Sequence, residues 1–394
     1  MMTTFRAGLA VRPIRNLFRQ DVPTIRGAII HRSYATKSRG FVSSTIKPIV
    51  LGVTLGAGIG VAYTYYSKQQ KGIPGFVIEQ NDKPFIIDKF PENIKITREI
   101  KNPQDSTGLE LVLFQFQTCP FCCKVRSYLD YKGLSYSVVE VDAVLRQSIK
   151  WSPYKKVPLL LAKTKDGRYV QLTDSSMIVS ALETYLKNPE KDIAEIAALY
   201  PNVAFYDEQG NKKTDVFNKY FLMFREGKKA LQDKEAIKSE NEWRAWADDH
   251  LVHLISPNVY RSKAEALETF EWFSDTGEWD VHFPSWERNL MVYTGAAAMY
   301  LISKRLKKRH KLTDDVRSHM YDACNKWTNE LKARKSTFMG GKTPNLADLA
   351  VFGVLSSMEG CAAFKDCLDN TKIGEWFYEM KVLVQQNRGN VVPA

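Results

Sequence analysis

The 394-residue sequence predicts an α/β domain followed by an all-α domain, with an apolar span ahead of both. Three observations predict it. Leu109 to Phe116 is an apolar run that leads directly into Cys119-Pro-Phe-Cys122 and then into helical spacing. Between residues 109 and 187, strand and helix patterns alternate. From about Phe217 to Val384 the apolar spacing is helical throughout.

Residues 1–45 carry eight Lys/Arg against one acid, Asp21, which is the composition of an organelle presequence. Of the formal net charge of +12, this segment supplies +7. No basic-aromatic alternation accompanies it, so the charge does not point to nucleic acid. Pro48 to Tyr66 is uncharged for 19 residues. As a helix it would be about 28 Å long, the thickness of a hydrocarbon core. Lys47 and Lys68 bracket it, three tyrosines crowd one end, and Gly52, Gly56 and Gly60 bare one face. A single membrane span over 46–66 is therefore expected. Residues 67–106 read as a tether in which Pro84-Phe-Ile-Ile87 adds an edge strand.

The α/β domain is assigned to 107–190. Leu109–Phe116 is its first strand. Pro120–Lys132 is a helix: Pro120 suits its first turn, and Gly133 ends it. Tyr136–Val141 is a strand, and a short helix follows near 143–150. Val157-Pro158-Leu-Leu-Leu161 and Tyr169–Leu172 are two more strands, separated by a turn at Gly167. Asp174-Ser-Ser176 caps a helix that runs to Leu186. The order β-α-β-α-β-β-α is the thioredoxin-like arrangement of glutaredoxins. In that arrangement the Val157–Pro158 bond is expected to be cis. A connector over 191–216 carries a hairpin with a Gly210-Asn turn. The helical domain is assigned to 217–394. There Trp243, Trp246, Leu251, Leu254 and Ile255 share a face, Asn289–His310 buries a Gly-Ala-Ala-Ala stretch, and Asn345 with Asp348 forms a capping box.

Six cysteines, three of them at 119, 122 and 123, are too few and too clustered for a disulfide framework. Zinc would require a second ligand pair at suitable spacing, which is absent from the sequence. A thiol placed at a helix start has its thiolate stabilised by free N–H groups and the helix dipole. Cys119 is accordingly the expected nucleophile, and Cys122, one turn on, the resolving or supporting thiol.

Several strings carry a closer likeness: Phe114-Gln-Phe-Gln-Thr-Cys-Pro-Phe-Cys122, Lys156-Val-Pro-Leu159, the segment Trp246 to Arg261, Gly295 to Arg305, and Phe338 to Ala350. Over residues 105–385 the chain resembles the glutathione transferase superfamily and, within it, the membrane-associated prostaglandin E synthase type 2 family. The resemblance implies a homodimer, glutathione binding (with haem in some members), and isomerisation of prostaglandin H2, a lipophilic small molecule, to prostaglandin E2. It implies that Val157, beside Pro158, pairs with the cysteinyl part of glutathione. Asp174 and Ser175 would hold the γ-glutamyl end, against the plainer reading that they only cap a helix. It further implies that His253 and Ser256 line the pocket, and that Arg305 or Arg309 meets a carboxylate or a haem propionate. The plainer readings there are a hydrogen-bonded core histidine and a solvated helix end. One departure stands out: the family's tyrosine three residues before the first cysteine is Phe116 here.

Two other functions stay open on the residues. One is a glutathione-dependent thiol-disulfide oxidoreductase using both cysteines. The other is a non-enzymatic, membrane-tethered protein that binds glutathione or haem. The basic N-terminus favours a mitochondrial membrane, the resemblance admits a Golgi or perinuclear one, and a cleaved soluble form is compatible with both.

Overall fold

The computed structural model describes residues 77–81, 83–142, 145–207, 210–223 and 234–389. The basic segment 1–45, the apolar span 46–66 and the start of the tether lie outside the described residues. No helix among the described residues is long and apolar enough to cross a membrane.

The strands are β1 (Val77–Asn81), β2 (Ile86–Ile87), β3 (Arg98–Ile100), β4 (Leu111–Gln115), β5 (Tyr136–Glu140), β6 (Leu159–Lys163), β7 (Tyr169–Thr173), β8 (Asn202–Tyr206) and β9 (Lys212–Val216). Six of them form one sheet in the order β2-β7-β6-β4-β5-β3. Its centre is β4, parallel to β5 and antiparallel to β6, with Phe114 opposite both Val139 and Leu159. Such a central strand is covered on both faces, which is why Leu111–Gln115 reads as an almost unbroken apolar run. Helices α1 (Pro120–Lys132) and α2 (Ser175–Lys187) belong to this domain. Gly133 closes α1 in the left-handed region, at φ 65°, where a side chain would be strained.

Two sequence expectations are corrected here. The tether is not structureless beyond Val77. Its β2 pairs with β7 as the expected edge strand, but β3 also pairs with β5, and β1 joins β8 and β9 in a second, three-stranded sheet. The short helix near 143–150 shrinks to one 3-10 turn, Gln147–Ile149, after the Asp142 carboxylate takes the Arg146 and Gln147 amides. Those bonds compete with the helix ladder.

Helices α3 (Ile193–Ala197), α4 (Lys234–Trp246), α5 (Val252–Val259), α6 (Lys263–Thr276), α7 (Trp279–His282), α8 (Ser285–Arg309), α9 (Val316–Arg334), α10 (Leu346–Ser356), α11 (Ala362–Asn370) and α12 (Ile373–Gln385) complete the described chain. A π-turn, Ala247–Leu251, joins α4 to α5. The apolar core runs without a break from the sheet through α1 into α10, where Leu346 to Leu355 are all buried. The Asn345–Asp348 capping box starts α10, and Asp348 also takes the Met339 and Gly340 amides and the Trp376 indole N–H.

Helix α10 meets α1 backbone to backbone. A Cβ on Gly353 would stand 2.4 Å from the Cα of Lys124. Gly353→Ala is therefore expected to destabilise the fold by about 1–3 kcal/mol despite its better helix propensity, because backbone cannot yield as a side chain can. Thermal unfolding of the variant checks this. A similar approach in α8 is only half of what the sequence suggests. Gly295 lies against the Phe270 ring and Ala296 is buried, but Ala297 and Ala298 face solvent.

Candidate thiol site

The site begins where β4 ends. The chain turns through Phe116–Thr118, and the Cys119 amide donates back to the Phe116 carbonyl at 3.1 Å. Cys119 is the residue before α1, with extended backbone, and its carbonyl accepts the first helical bond from the Cys123 amide at 2.8 Å. As a residue Cys119 is half-buried, whereas Cys122 and Cys123 are buried. No two of the six cysteines are joined by a disulfide.

The Cys119 thiol is held below the usual cysteine range, first by a hydrogen bond from the Cys122 thiol. The Cys122 and Phe121 amides and the Arg126 charge act in the same direction, against the effect of burial. Cys122 moves the opposite way, well above that range, through burial and through its bond to Cys119. The two shifts are opposite, so Cys119 is the first of the pair to ionise and Cys122 the one that keeps its S–H longer.

Val157–Pro158 is cis. Pro158 is buried and Val157 is half-buried. Asp174 caps α2: one carboxylate oxygen accepts the Ser176 and Met177 amides at 2.9 and 3.2 Å. Its other oxygen lies 3.9 Å from the Lys219 ammonium. Its φ is 68°, a conformation that non-glycine residues adopt mostly where a turn or a ligand demands it. Ser175 is buried beside it. Capping is therefore a real role of Asp174, and only its second oxygen is left to meet a ligand.

His253 stacks face to face on His310, with ring centroids 4.3 Å apart and planes at 17°. Burial and the neighbouring His310 hold its imidazole below the ordinary histidine value. Ser256 is half-buried on the same helix. Arg305 and Arg309 are exposed at the end of α8, where Arg309 acts on His253. A cavity near this end, lined by Pro257, Arg261, Ser303, Lys304, Lys307, Asp314 and Val316, holds about 110 Å³, and none of His253, Ser256, Arg305 and Arg309 is in its wall. That space is too small for a porphyrin. Among the described residues, no three His, Cys, Asp or Glu side chains gather as a metal site.

Three groups near the thiols escape a reading of the sequence. Tyr154 lies near Asp174, Cys119 and Cys122; burial, then the Asp174 charge, push its hydroxyl up to about 12, so it stays protonated at neutral pH. Tyr260 reaches the vicinity of Cys119 from the helical domain, and burial raises it strongly. Lys124, buried on α1, pairs with Asp248 of the π-turn. Ser176 donates to the same carboxylate at 2.6 Å and Tyr220 at 3.1 Å. The only local signal was the doublet Asp248-Asp249 in an otherwise apolar helical pattern.

Residues 113–189 match the family model described as glutathione S-transferase, N-terminal domain. Prostaglandin E synthase 2 of Danio rerio is 47% identical to the chain over 281 residues, covering 71% of this chain and 72% of the relative. Prostaglandin E synthase 2 of Mus musculus is 48% identical over 283 residues, with the same coverage. The chain belongs to the prostaglandin E synthase 2 family. Among solved structures, the β-etherase LigF of Sphingobium sp. strain SYK-6 aligns with 71% of this chain and 98% of its own, at 16% identity and a TM-score of 0.40. The stretch matched to the transferase model contains Cys119, Val157, Asp174 and Ser175 but stops short of His253 and Arg305.

Proposed function

We propose that this chain isomerises prostaglandin H2 to prostaglandin E2 at Cys119, with glutathione bound alongside. Membership of a family whose relatives bear that name supports the reaction. The observation that carries the site is the position of Cys119, a part-exposed residue at the start of α1 whose amide is held by the Phe116 carbonyl, with buried Cys122 one turn on. Val157, beside Pro158, would pair its backbone with the cysteinyl part of the tripeptide. Ser175 and the free oxygen of Asp174 would receive its γ-glutamyl end. Glutathione supplies a second thiol when bound.

The reaction needs no net oxidant. The Cys119 thiolate attacks the endoperoxide oxygen on C9, forming an S–O bond as the O–O bond breaks. The other oxygen leaves as an alkoxide and takes a proton to become the C11 hydroxyl. Loss of the C9 proton to a base then puts the C–H electron pair into the C9 carbonyl. The S–O pair returns to sulfur, and the thiolate is regenerated. The deciding experiment is the product spectrum from prostaglandin H2 with purified full-length chain, with and without glutathione. Prostaglandin E2 formed faster than in buffer supports the reading, and buffer-like products at all enzyme concentrations reject it.

A second reading is favoured by the intact Cys119-x-x-Cys122 pair at the start of α1. Two thiols one turn apart at a helix start can cycle through a disulfide, as a glutathione-dependent thiol-disulfide oxidoreductase requires. Reduction of a mixed glutathione disulfide by wild-type chain, lost in both Cys119→Ser and Cys122→Ser, would establish it.

The chain is further proposed to act as a homodimer tethered through residues 48–66 to a mitochondrial membrane. Helix α8 supports the dimer. Trp286, Tyr293 and Leu301 are 62%, 62% and 66% exposed, and with Leu290 they form one stripe at helical spacing. Leu301→Glu is expected to convert the dimer to monomer without altering the thiols. Sedimentation velocity in density-matched detergent checks this; an unchanged mass removes α8 from the interface.

A further inference from the structure

Behind the thiols lies a polar cluster with no part in the reaction just described. Arg126 stands seven residues after Cys119, two turns along α1. One guanidinium nitrogen donates to the Gln115 side-chain oxygen at 2.6 Å. The other donates to the Gln117 carbonyl at 2.6 Å and to the Cys123 sulfur at 3.2 Å. Glu140, from β5, accepts the Gln117 amide at 2.6 Å and the Gln115 side-chain N–H at 3.1 Å. Arg98, from β3, donates to the Gln117 side-chain oxygen at 2.5 Å and lies 3.7 Å from Glu140. Both backbone groups of Gln117, two residues before Cys119, are thus fixed, one by a cation and the other by an anion.

A helix start alone offers a thiolate only partial charges. Arg126 adds a whole charge whose position is set by three bonds. We propose that Arg126 is a positioning residue for Cys119: it locks the Phe116–Thr118 loop through the Gln117 carbonyl and places a fixed positive charge behind the thiols, which Glu140 partly offsets. The proposal rests on the reading of Cys119 as the reacting thiol. The groups facing that thiol from its own helix are Cys122, Cys123 and Arg126. From other elements they are the neutral phenols of Tyr154 and Tyr260, with Arg98 and Glu140 further back; Arg126 itself is also faced by Asp130 of α1 and Tyr136 of β5. Arg126 and the bond from Cys122 act on Cys119 in the same direction.

The test is the rate of iodoacetamide labelling at Cys119 against pH, on full-length chain in detergent, with the site read by tandem mass spectrometry. Arg126→Gln should move the midpoint to higher pH. At neutral pH it should label about threefold more slowly, a modest factor because a more basic thiolate is also the stronger nucleophile. Arg126→Lys, which keeps the charge, should hold the midpoint near wild type. Glu140→Gln should move it to lower pH, since the offsetting charge is gone. A wild-type midpoint in Arg126→Gln overturns the proposal, as does an unmoved or higher midpoint in Glu140→Gln. If Arg126→Gln does not fold, Glu140→Gln decides alone. Labelling needs no prostaglandin, so the two readings fail separately. Shifted midpoints without prostaglandin E2 would reject the isomerase and leave Arg126 in its role; prostaglandin E2 with unshifted midpoints would do the reverse.

Discussion

Cys119→Ser is expected to cut prostaglandin E2 formation by at least about a hundredfold, the order seen when one group that acts directly on the reacting atoms is removed. A serine hydroxyl stays protonated at neutral pH, and neither the helix start nor Arg126 shifts it far enough to matter. Cys122 separates the mechanisms. Its S–H is a donor to Cys119, and a serine O–H can donate in the same place, so Cys122→Ser should retain most isomerase activity. Cys122→Ala removes the donor. It should lower kcat by about tenfold and move the lower limb of the pH–rate profile to higher pH, because the bond that holds the Cys119 thiol down is then gone. Stopped incubations with prostaglandin H2, resolved by product, check all three variants. Equal loss in Cys122→Ser and Cys119→Ser would favour dithiol cycling over isomerisation.

Lys124→Met is expected to destabilise the fold by about 3–5 kcal/mol, or a fall in Tm of roughly 10 °C. The side chains of Lys124 and Asp248 are 3% and 11% exposed, so removing the cation strands a buried carboxylate. The Ser176 and Tyr220 hydroxyls would remain on it but carry no net charge. A Lys124→Met/Asp248→Leu double variant should recover much of the loss, since no unpaired charge remains. The pH dependence follows from the sign of the shift. Lys124 and the Ser176 hydroxyl hold the Asp248 carboxyl below its ordinary value in the fold, against burial. Its contribution is therefore complete above an unfolded-chain value of about 3.9 and disappears as pH falls through the lower folded value. Unfolding curves of wild type and Asp248→Asn should stay apart from pH 7 down to about 4 and converge only below it. Convergence at neutral pH would contradict the assignment.

Elements that the chain specifies locally could be read in advance. Pro120 and Gly133 bound α1, and Asn345 and Asp348 make the capping box of α10, because each acts on backbone within four residues. The hairpin from Asn202 to Val216 belongs to the same class. Other elements exist only through distant partners. Arg98–Ile100 has too little apolar content to read as a strand. It becomes one because the edge of β5 offers it a ladder, and that pairing places Arg98 on Gln117 behind the thiols. The GAAA stretch of α8 shows the opposite error. Small residues predict close packing, but only Gly295 and Ala296 turn inward.

The sequence by itself determined the thioredoxin-like strand and helix order and the placing of Cys119 at a helix start, since both follow from spacing and capping along a few residues. Tertiary structure decided what surrounds that sulfur. The Cys122 donor, the Arg126–Glu140 brace and the Lys124–Asp248 pair join side chains by direction and distance, and the last spans 124 positions of chain. Charge and hydrogen bonding act through space, so their partners are fixed only once the sheet, α1 and the helical domain have closed on one another.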